Sequence, residues 1–133
     1  MLSWDINWLA VLIAVVAFQI VGFLWYGPLF GARWRAAMGI SESDAASPGA
    51  ALVVGLVCSI VSAIALALLL TLGDDPDVQL GIALGALVGV GFIAATMVMH
   101  AAYEQKDQTV LWVGISYQVV GTIVMGAILG AIQ

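Results

Sequence analysis

Four long apolar segments, separated by short polar connections, make up most of the chain. They cover about residues 7–26, 49–72, 78–102 and 109–132. Crossing about 30 Å of hydrocarbon at about 1.5 Å per residue takes about 20 residues in an α-helix. Every segment reaches that length, and none carries Asp, Glu, Lys or Arg in its middle. The pattern predicts four membrane-spanning helices, since the runs are too long and uniformly apolar for barrel strands.

The first connection is the only one with room for structure of its own. Between residues 29 and 38, apolar side chains recur at every fourth position, at Phe30, Trp34 and Met38, and the two arginines lie off that stripe. This spacing predicts a short amphipathic helix in the membrane interface. The predicted fold is therefore an all-α membrane protein. Its single domain, residues 1–133, is a compact four-helix transmembrane bundle with one interfacial helix between helices one and two.

Local signals mark where these helices end. Gly27-Pro28 is predicted to stop the first spanning helix. Gly39 suits the C-terminal cap of the amphipathic helix, and a polar link follows it. Ser47 and Pro48 suit the N-cap and the first turn of the second spanning helix.

The basic residues orient the chain. Arg33 and Arg35 lie in the first connection and Lys106 lies in the third, while the second connection, residues 73–77, has three aspartates and no base. Basic residues favour cytoplasmic loops. The sequence therefore predicts a multi-pass protein of the cell membrane with both termini and the aspartate connection outside.

Small residues recur every four positions in three of the segments, which is typical of helices that pack closely in lipid. The rows are Ala51, Gly55, Ser59, Ala63, Ala67 and Thr71 in the second segment, Gly81, Gly85 and Gly89 in the third, and Gly114, Gln118, Thr122, Gly126 and Gly130 in the fourth. Such rows join helices within one chain or between copies, so a homo-oligomer is also expected.

Composition narrows the class of protein. The chain is 64% hydrophobic and 8% charged, against about 25% charged residues in a soluble domain. Its net charge of −5 argues against nucleic acid or anionic lipid as the main partner. The expected partners are membrane lipid in general and another, unidentified membrane protein. Cys58, the only cysteine, is predicted to be a small buried apolar side chain.

Few residues could carry chemistry. The candidates for a polar path, or for contacts between helices, are Gln19, His100, Gln118 and Thr122. The candidates for the cytoplasmic interface are Trp25, Tyr26, Arg33, Trp34, Arg35 and Glu104. Thr96, His100 and Tyr103 or Glu104 follow helical spacing and share a face.

These residues favour some functions over others. A lone histidine is a poor metal site, and no catalytic set or cofactor motif is found, so the sequence predicts no enzyme, metal or cofactor. The absence of a carboxylate inside the spans argues against proton-coupled export. A homo-oligomeric channel or transporter-like protein for a small solute or ion is the first hypothesis. A structural or accessory protein that binds lipid or a partner protein through its cytoplasmic loop is the alternative.

One stretch resembles a known family. Trp25–Gly31, which reads WYGPLFG and is followed by a basic residue and Trp34, is similar to the start of a small prokaryotic membrane family, domain-of-unknown-function family 1761. The later matches are looser: GFIAAT at 91–96, the pair Tyr103-Glu104, Tyr117, and VMGAILG at 124–130. The resemblance implies a four-helix integral membrane protein and no particular activity.

The orientation can be tested with epitope tags in intact cells. A tag after the C-terminus should bind antibody without permeabilisation, because the positive-inside rule places that end outside. A tag inserted in the link that follows Gly39 serves as the control and should need permeabilisation. A protected C-terminal tag would overturn the assignment.

Overall fold

Long helices dominate the computed structural model, which describes residues 2–39, 49–105 and 107–132. Four helices in these ranges are long and apolar enough to cross a membrane, and we call them spans one to four: Trp8–Leu29, Leu52–Leu70, Val78–Glu104 and Gln108–Ala131. The predicted fold class is confirmed. The polar link after Gly39, the cap at Ser47-Pro48 and Lys106 lie outside the described residues.

The spans divide into helices and two wide turns. Span one contains α1 (Trp8–Leu24) and a π-helical turn (Trp25–Leu29), and the amphipathic helix α2 (Gly31–Met38) follows it. Helix α3 (Gly49–Leu70) contains span two. Span three contains α4 (Val78–Val88), a second π-helical turn (Gly89–Ala94) and α5 (Ala95–Glu104), and span four is α6 (Gln108–Ala131).

Polar side chains begin three of these helices. Asn7 Oδ1 accepts hydrogen bonds from the first-turn amides of α1, and Asp77 and Asp107 do the same for α4 and α6. Each satisfies an amide that has no partner within its own helix. Gly39 ends α2 in the left-handed conformation, with φ 72°, as its position predicts.

The first span passes through Gly27-Pro28 and does not stop there. The chain stays helical to Leu29, and α2 begins at Gly31 instead of residue 29, so the predicted stop is wrong. Pro28 has no N–H and removes one helical hydrogen bond. The wider turn restores pairing around it, because the Phe30 N–H donates to the Trp25 carbonyl over 2.9 Å.

Spans three and four approach each other until their backbones touch. A Cβ atom added to Gly85 would lie 2.9 Å from Ile123 Cα and closer still to the Thr122 carbonyl oxygen. One added to Gly126 would collide with the Gly81 carbonyl. The glycine rows predicted on these spans therefore face each other, and the approach is open only to residues without a side chain.

The second π-helical turn keeps span three on span four. A row at spacing four rotates by about 40° per step around an α-helix with 3.6 residues per turn. The five steps from Gly81 to Ala101 would carry the row by about 200°, to the far side of the helix. The wide turn at Gly89–Ala94 rotates the chain less per residue, so Ala101 is buried against Leu111 and Ile115 of α6.

The main core lies between spans one, two and four. Its buried members are Ala10, Val11, Ala14, Val15, Phe18, Ala63, Leu66, Ala67, Leu70, Met125 and Leu129. Span two contributes only its second half, because residues 52–58 are exposed and Gly55 has nothing within 4 Å. Cys58 belongs to this exposed half, so the prediction that it is buried is wrong.

Two hydrogen bonds hold the N-terminal segment next to the end of α3 and the end of α6, so both termini lie at the same end of the bundle. The Ser3 N–H donates to Thr71 Oγ1 over 3.0 Å, and Asn7 Nδ2 donates to the Ile132 carbonyl over 2.9 Å. We call this end the termini end, and the opposite end, which carries Arg33 and Arg35 on α2, the arginine end. That the arginine end faces the cytoplasm stays a prediction.

Replacing Gly85 with leucine should destabilise the bundle. The new side chain would meet backbone atoms of α6, which cannot rotate away, so we expect the free energy of unfolding to fall by about 3 kcal/mol. Denaturation in detergent, followed by circular dichroism, measures the change. Gly55→Leu is the matched control, because that position is open. Equal stability of the two variants would contradict the close approach.

Candidate binding site at the arginine end

Two clefts flank α2 at the arginine end. The first, which we call the His100 cleft, has a volume of about 450 Å³ and is lined by Tyr26, Trp34, Thr96, Met97, His100, Glu104, Val110, Leu111 and Gly114. The second, the Arg33 cleft, has a volume of about 500 Å³ and is lined by Phe30, Arg33, Gln108, Thr109, Trp112, Val113 and Ser116. Helix α2 packs on α6 between them.

Helix α5 provides the polar wall of the His100 cleft. Thr96, His100 and Glu104 lie four residues apart on one face, as their spacing predicts, and all three line the cleft. The Thr96 hydroxyl donates to the Phe92 carbonyl over 2.6 Å, so its proton is held within the helix. The imidazole and the carboxylate are the remaining polar groups on this wall.

Aromatic rings form the opposite wall. The Trp34 and Tyr26 rings meet edge to face, with centroids 5.2 Å apart and an interplanar angle of 78°. Tyr26 also meets Tyr117 of α6 edge to face at 5.4 Å, and Tyr117 packs on Phe18 in the main core at 5.0 Å. Contacts of this geometry are favoured between aromatic rings. The wall is therefore tied to the interior of the bundle.

A glycine of α6 leaves the floor of the cleft open. A Cβ atom added to Gly114 would lie 2.9 Å from Met97 Cε and 3.7 Å from Tyr26 Oη. Any larger side chain at this position would take up space that the cleft now has. Gly114 belongs to the predicted row of small residues on span four. Its missing side chain allows the close contact with Met97 and also leaves space in the cleft.

Trp25 connects the first π-helical turn to α6. Its Nε1–H donates to Ser116 Oγ over 2.9 Å, and its ring lies 5.4 Å from that of Phe30. This tryptophan, predicted as an interface residue, lines neither cleft. Arg33 lines the cleft named after it, and Arg35 lines neither one.

The polar residues predicted near the middle of the membrane do not meet. Gln19 Nε2 donates to Ser59 Oγ over 2.9 Å, which joins spans one and two. The Thr122 hydroxyl, which is 1% exposed, donates to the Gly85 carbonyl over 3.0 Å and joins spans three and four. Gln118 is half-buried and has no hydrogen bond among the described residues. Gln19 and Thr122 therefore serve as contacts between helices within a single chain.

A family model described as "Protein of unknown function (DUF1761)" matches residues 9–130. The chain belongs to this family. The matched range covers the lining of both clefts and all four spans except the first residue of span one and the last residue of span four. No curated protein and no solved structure matches the chain. The description of the family names no ligand or activity, so the clefts are the guide to function.

Sequence reasoning missed part of both clefts. The sequence assigns Gly114 to a row of small residues and gives Met97 no role, and nothing in it shows that the two face each other across a cavity. The sequence places Gln108 in the third connection and Thr109 at the start of the fourth segment, and the structure begins α6 at Gln108. Both residues lie one turn before Trp112, and residues three or four apart share a helix face. This spacing was the sequence signal that the three line one cleft.

Proposed function

We propose that the protein is a non-enzymatic membrane binding protein whose His100 cleft takes a small organic cation with an apolar body. The observation that carries this proposal is the pairing of the Glu104 carboxylate with the Tyr26 and Trp34 rings around one cavity. A carboxylate attracts a cation through its charge. An aromatic face adds about 0.5–2 kcal/mol, depending on how far the cation is removed from water.

The size and the remaining lining of the cleft support the same class of ligand. A volume of about 450 Å³ falls within the range of about 300–1,000 Å³ that is usual for small-molecule sites. Met97, Val110 and Leu111 offer apolar surface for the uncharged part of the ligand. Neither arginine of α2 lines this cleft, so no fixed positive charge among its described lining residues opposes a cation.

The lining argues for binding and against turnover. An activated nucleophile needs a base that takes its proton. The Thr96 proton is directed to the Phe92 carbonyl and not to His100, so this hydroxyl is not prepared for attack. In this proposal His100 is part of the polar wall of the cleft and has no catalytic task.

Calorimetric titration of the protein in detergent with benzyltrimethylammonium tests the proposal. We expect saturable binding, and we expect Glu104→Gln to weaken it about tenfold, or about 1.4 kcal/mol, because the charge opposite the cation is lost. Asp107→Asn is the matched control: it removes one negative charge three residues away while asparagine still caps α6. Its affinity should change by less than about twofold.

Two results would contradict the proposal. One is equal affinity of the Glu104→Gln variant and the unchanged protein. The other is equally tight binding of benzyl alcohol, which has the ring without the charge. Gly114→Leu gives a further check, because filling the floor should abolish binding even though Glu104 is retained.

A homo-oligomeric channel or transporter is the second candidate. Two observations favour it. Residues 52–58 form an exposed segment of α3 that includes the open Gly55, and Gln118 is half-buried without a hydrogen bond among the described residues. A second copy could pack on the exposed segment. A polar path would then run between copies, since Gln19 and Thr122 are engaged in contacts within one chain.

Flux through reconstituted liposomes tests this second candidate. Potassium or tetramethylammonium release should exceed that of empty vesicles and should fall in the Gln118→Leu variant, because an apolar side chain would replace the polar lining. Gln19→Leu is the comparison, since its amide already bonds to Ser59. Release equal to that of empty vesicles would remove the channel hypothesis.

A further inference from the structure

We propose that the Arg33 cleft binds the phosphodiester group of an anionic phospholipid. This site shares no lining residue with the His100 cleft and does not depend on the function proposed for that cleft. The inference rests on the hydrogen-bonding character of the lining, on its apolar wall and on its position at the end of span four.

The unpaired polar groups of the cleft are donors. Arg33 is exposed, and its guanidinium forms no hydrogen bond or ion pair among the described residues. The Thr109 hydroxyl and the Gln108 amide nitrogen are the other donors. A guanidinium offers parallel N–H groups that match the oxygens of a phosphate, and a phosphodiester carries acceptors only.

Two side-chain acceptors of the cleft, Gln108 Oε1 and Ser116 Oγ, are already engaged within the protein, and the Thr109 hydroxyl both donates and accepts. The Trp112 indole N–H donates to Gln108 Oε1 over 3.2 Å, which leaves the amide nitrogen of Gln108 as the free end. Ser116 Oγ accepts from Trp25 and donates to the Val113 carbonyl over 3.0 Å. This pairing leaves N–H and O–H donors as the main polar groups that the cleft presents to a ligand.

Asp107 is the carboxylate nearest to these donors along the chain. Its Oδ1 accepts the Thr109 N–H over 2.8 Å, so this oxygen caps α6 and is not directed at Arg33. Asp107 does not line the cleft. The positive charge of Arg33 is therefore available to an anion that approaches from the surface. The net charge of −5 argues against anionic lipid as the main partner of the whole protein, whereas this site depends on one local guanidinium.

The apolar wall points to a lipid as the source of the phosphate. Phe30, Val113 and the Trp112 ring line the cleft, and Trp112 is 59% exposed at the end of a membrane span. Tryptophan at this depth lies at the level of lipid headgroups. A phospholipid would put its phosphate against Arg33 and its glycerol and first methylenes against this wall, whereas a free phosphate ester would leave the wall unused.

Native mass spectrometry of the full chain with phosphatidylglycerol tests the inference. We expect one tightly held lipid, and we expect Arg33→Gln to lower its affinity about tenfold, or about 1.4 kcal/mol. Arg35→Gln is the matched control, because it removes the same charge from the same helix but does not line the cleft. Its affinity should change by less than about twofold. Thr109→Val should weaken binding about threefold, through loss of one donor.

The remaining outcomes overturn the inference. Equal weakening by Arg33→Gln and Arg35→Gln would mean a diffuse attraction between basic residues and lipid. Displacement of the lipid by millimolar glycerol 3-phosphate would mean a site for a free phosphate ester. Glu104→Gln should leave lipid affinity unchanged, so a failure here is distinguishable from a failure of cation binding in the His100 cleft.

Discussion

The direct backbone contact between spans three and four is the constraint on which the rest of the structure depends. Glycines at 81, 85 and 126 bring the two helices together until carbonyl groups meet Cα atoms. In lipid no hydrophobic force draws helices together, so such contacts and the hydrogen bond from Thr122 to Gly85 hold the pair. Span four thereby becomes the centre of the bundle, and α1, α2 and α3 pack on its remaining faces.

The two π-helical turns change the rotation of spans one and three, so that both spans can pack on span four. The turn at Gly89–Ala94 changes the phase of span three, so that Ala101 faces α6 while Thr96, His100 and Glu104 face the cleft. The turn at Trp25–Leu29 accommodates Pro28. The chain then continues as α2, which packs on α6. Turns of this kind often occur at functional sites, and here each one borders the region where the clefts open.

The two clefts have opposite electrostatic character, although they share α2 and α6. A carboxylate and aromatic rings line one of them, and donors around a guanidinium line the other. Ring contacts from Trp34 to Tyr26 and from Phe30 to Trp25 attach α2 to the bundle on both sides. A molecule bound in either cleft would touch α2, so the amphipathic helix is the element through which the two sites could influence each other.

The sequence alone determined the four spans, the short helix that follows the first span, and the glycine rows on spans three and four. Each of these follows from local composition and from the length of a helix that crosses lipid. The wide turns, the exposed half of span two and the two clefts were decided only by tertiary structure. Packing set the rotation of one helix against another, and that rotation determines whether His100, Glu104 or Arg33 faces lipid, protein or a cavity.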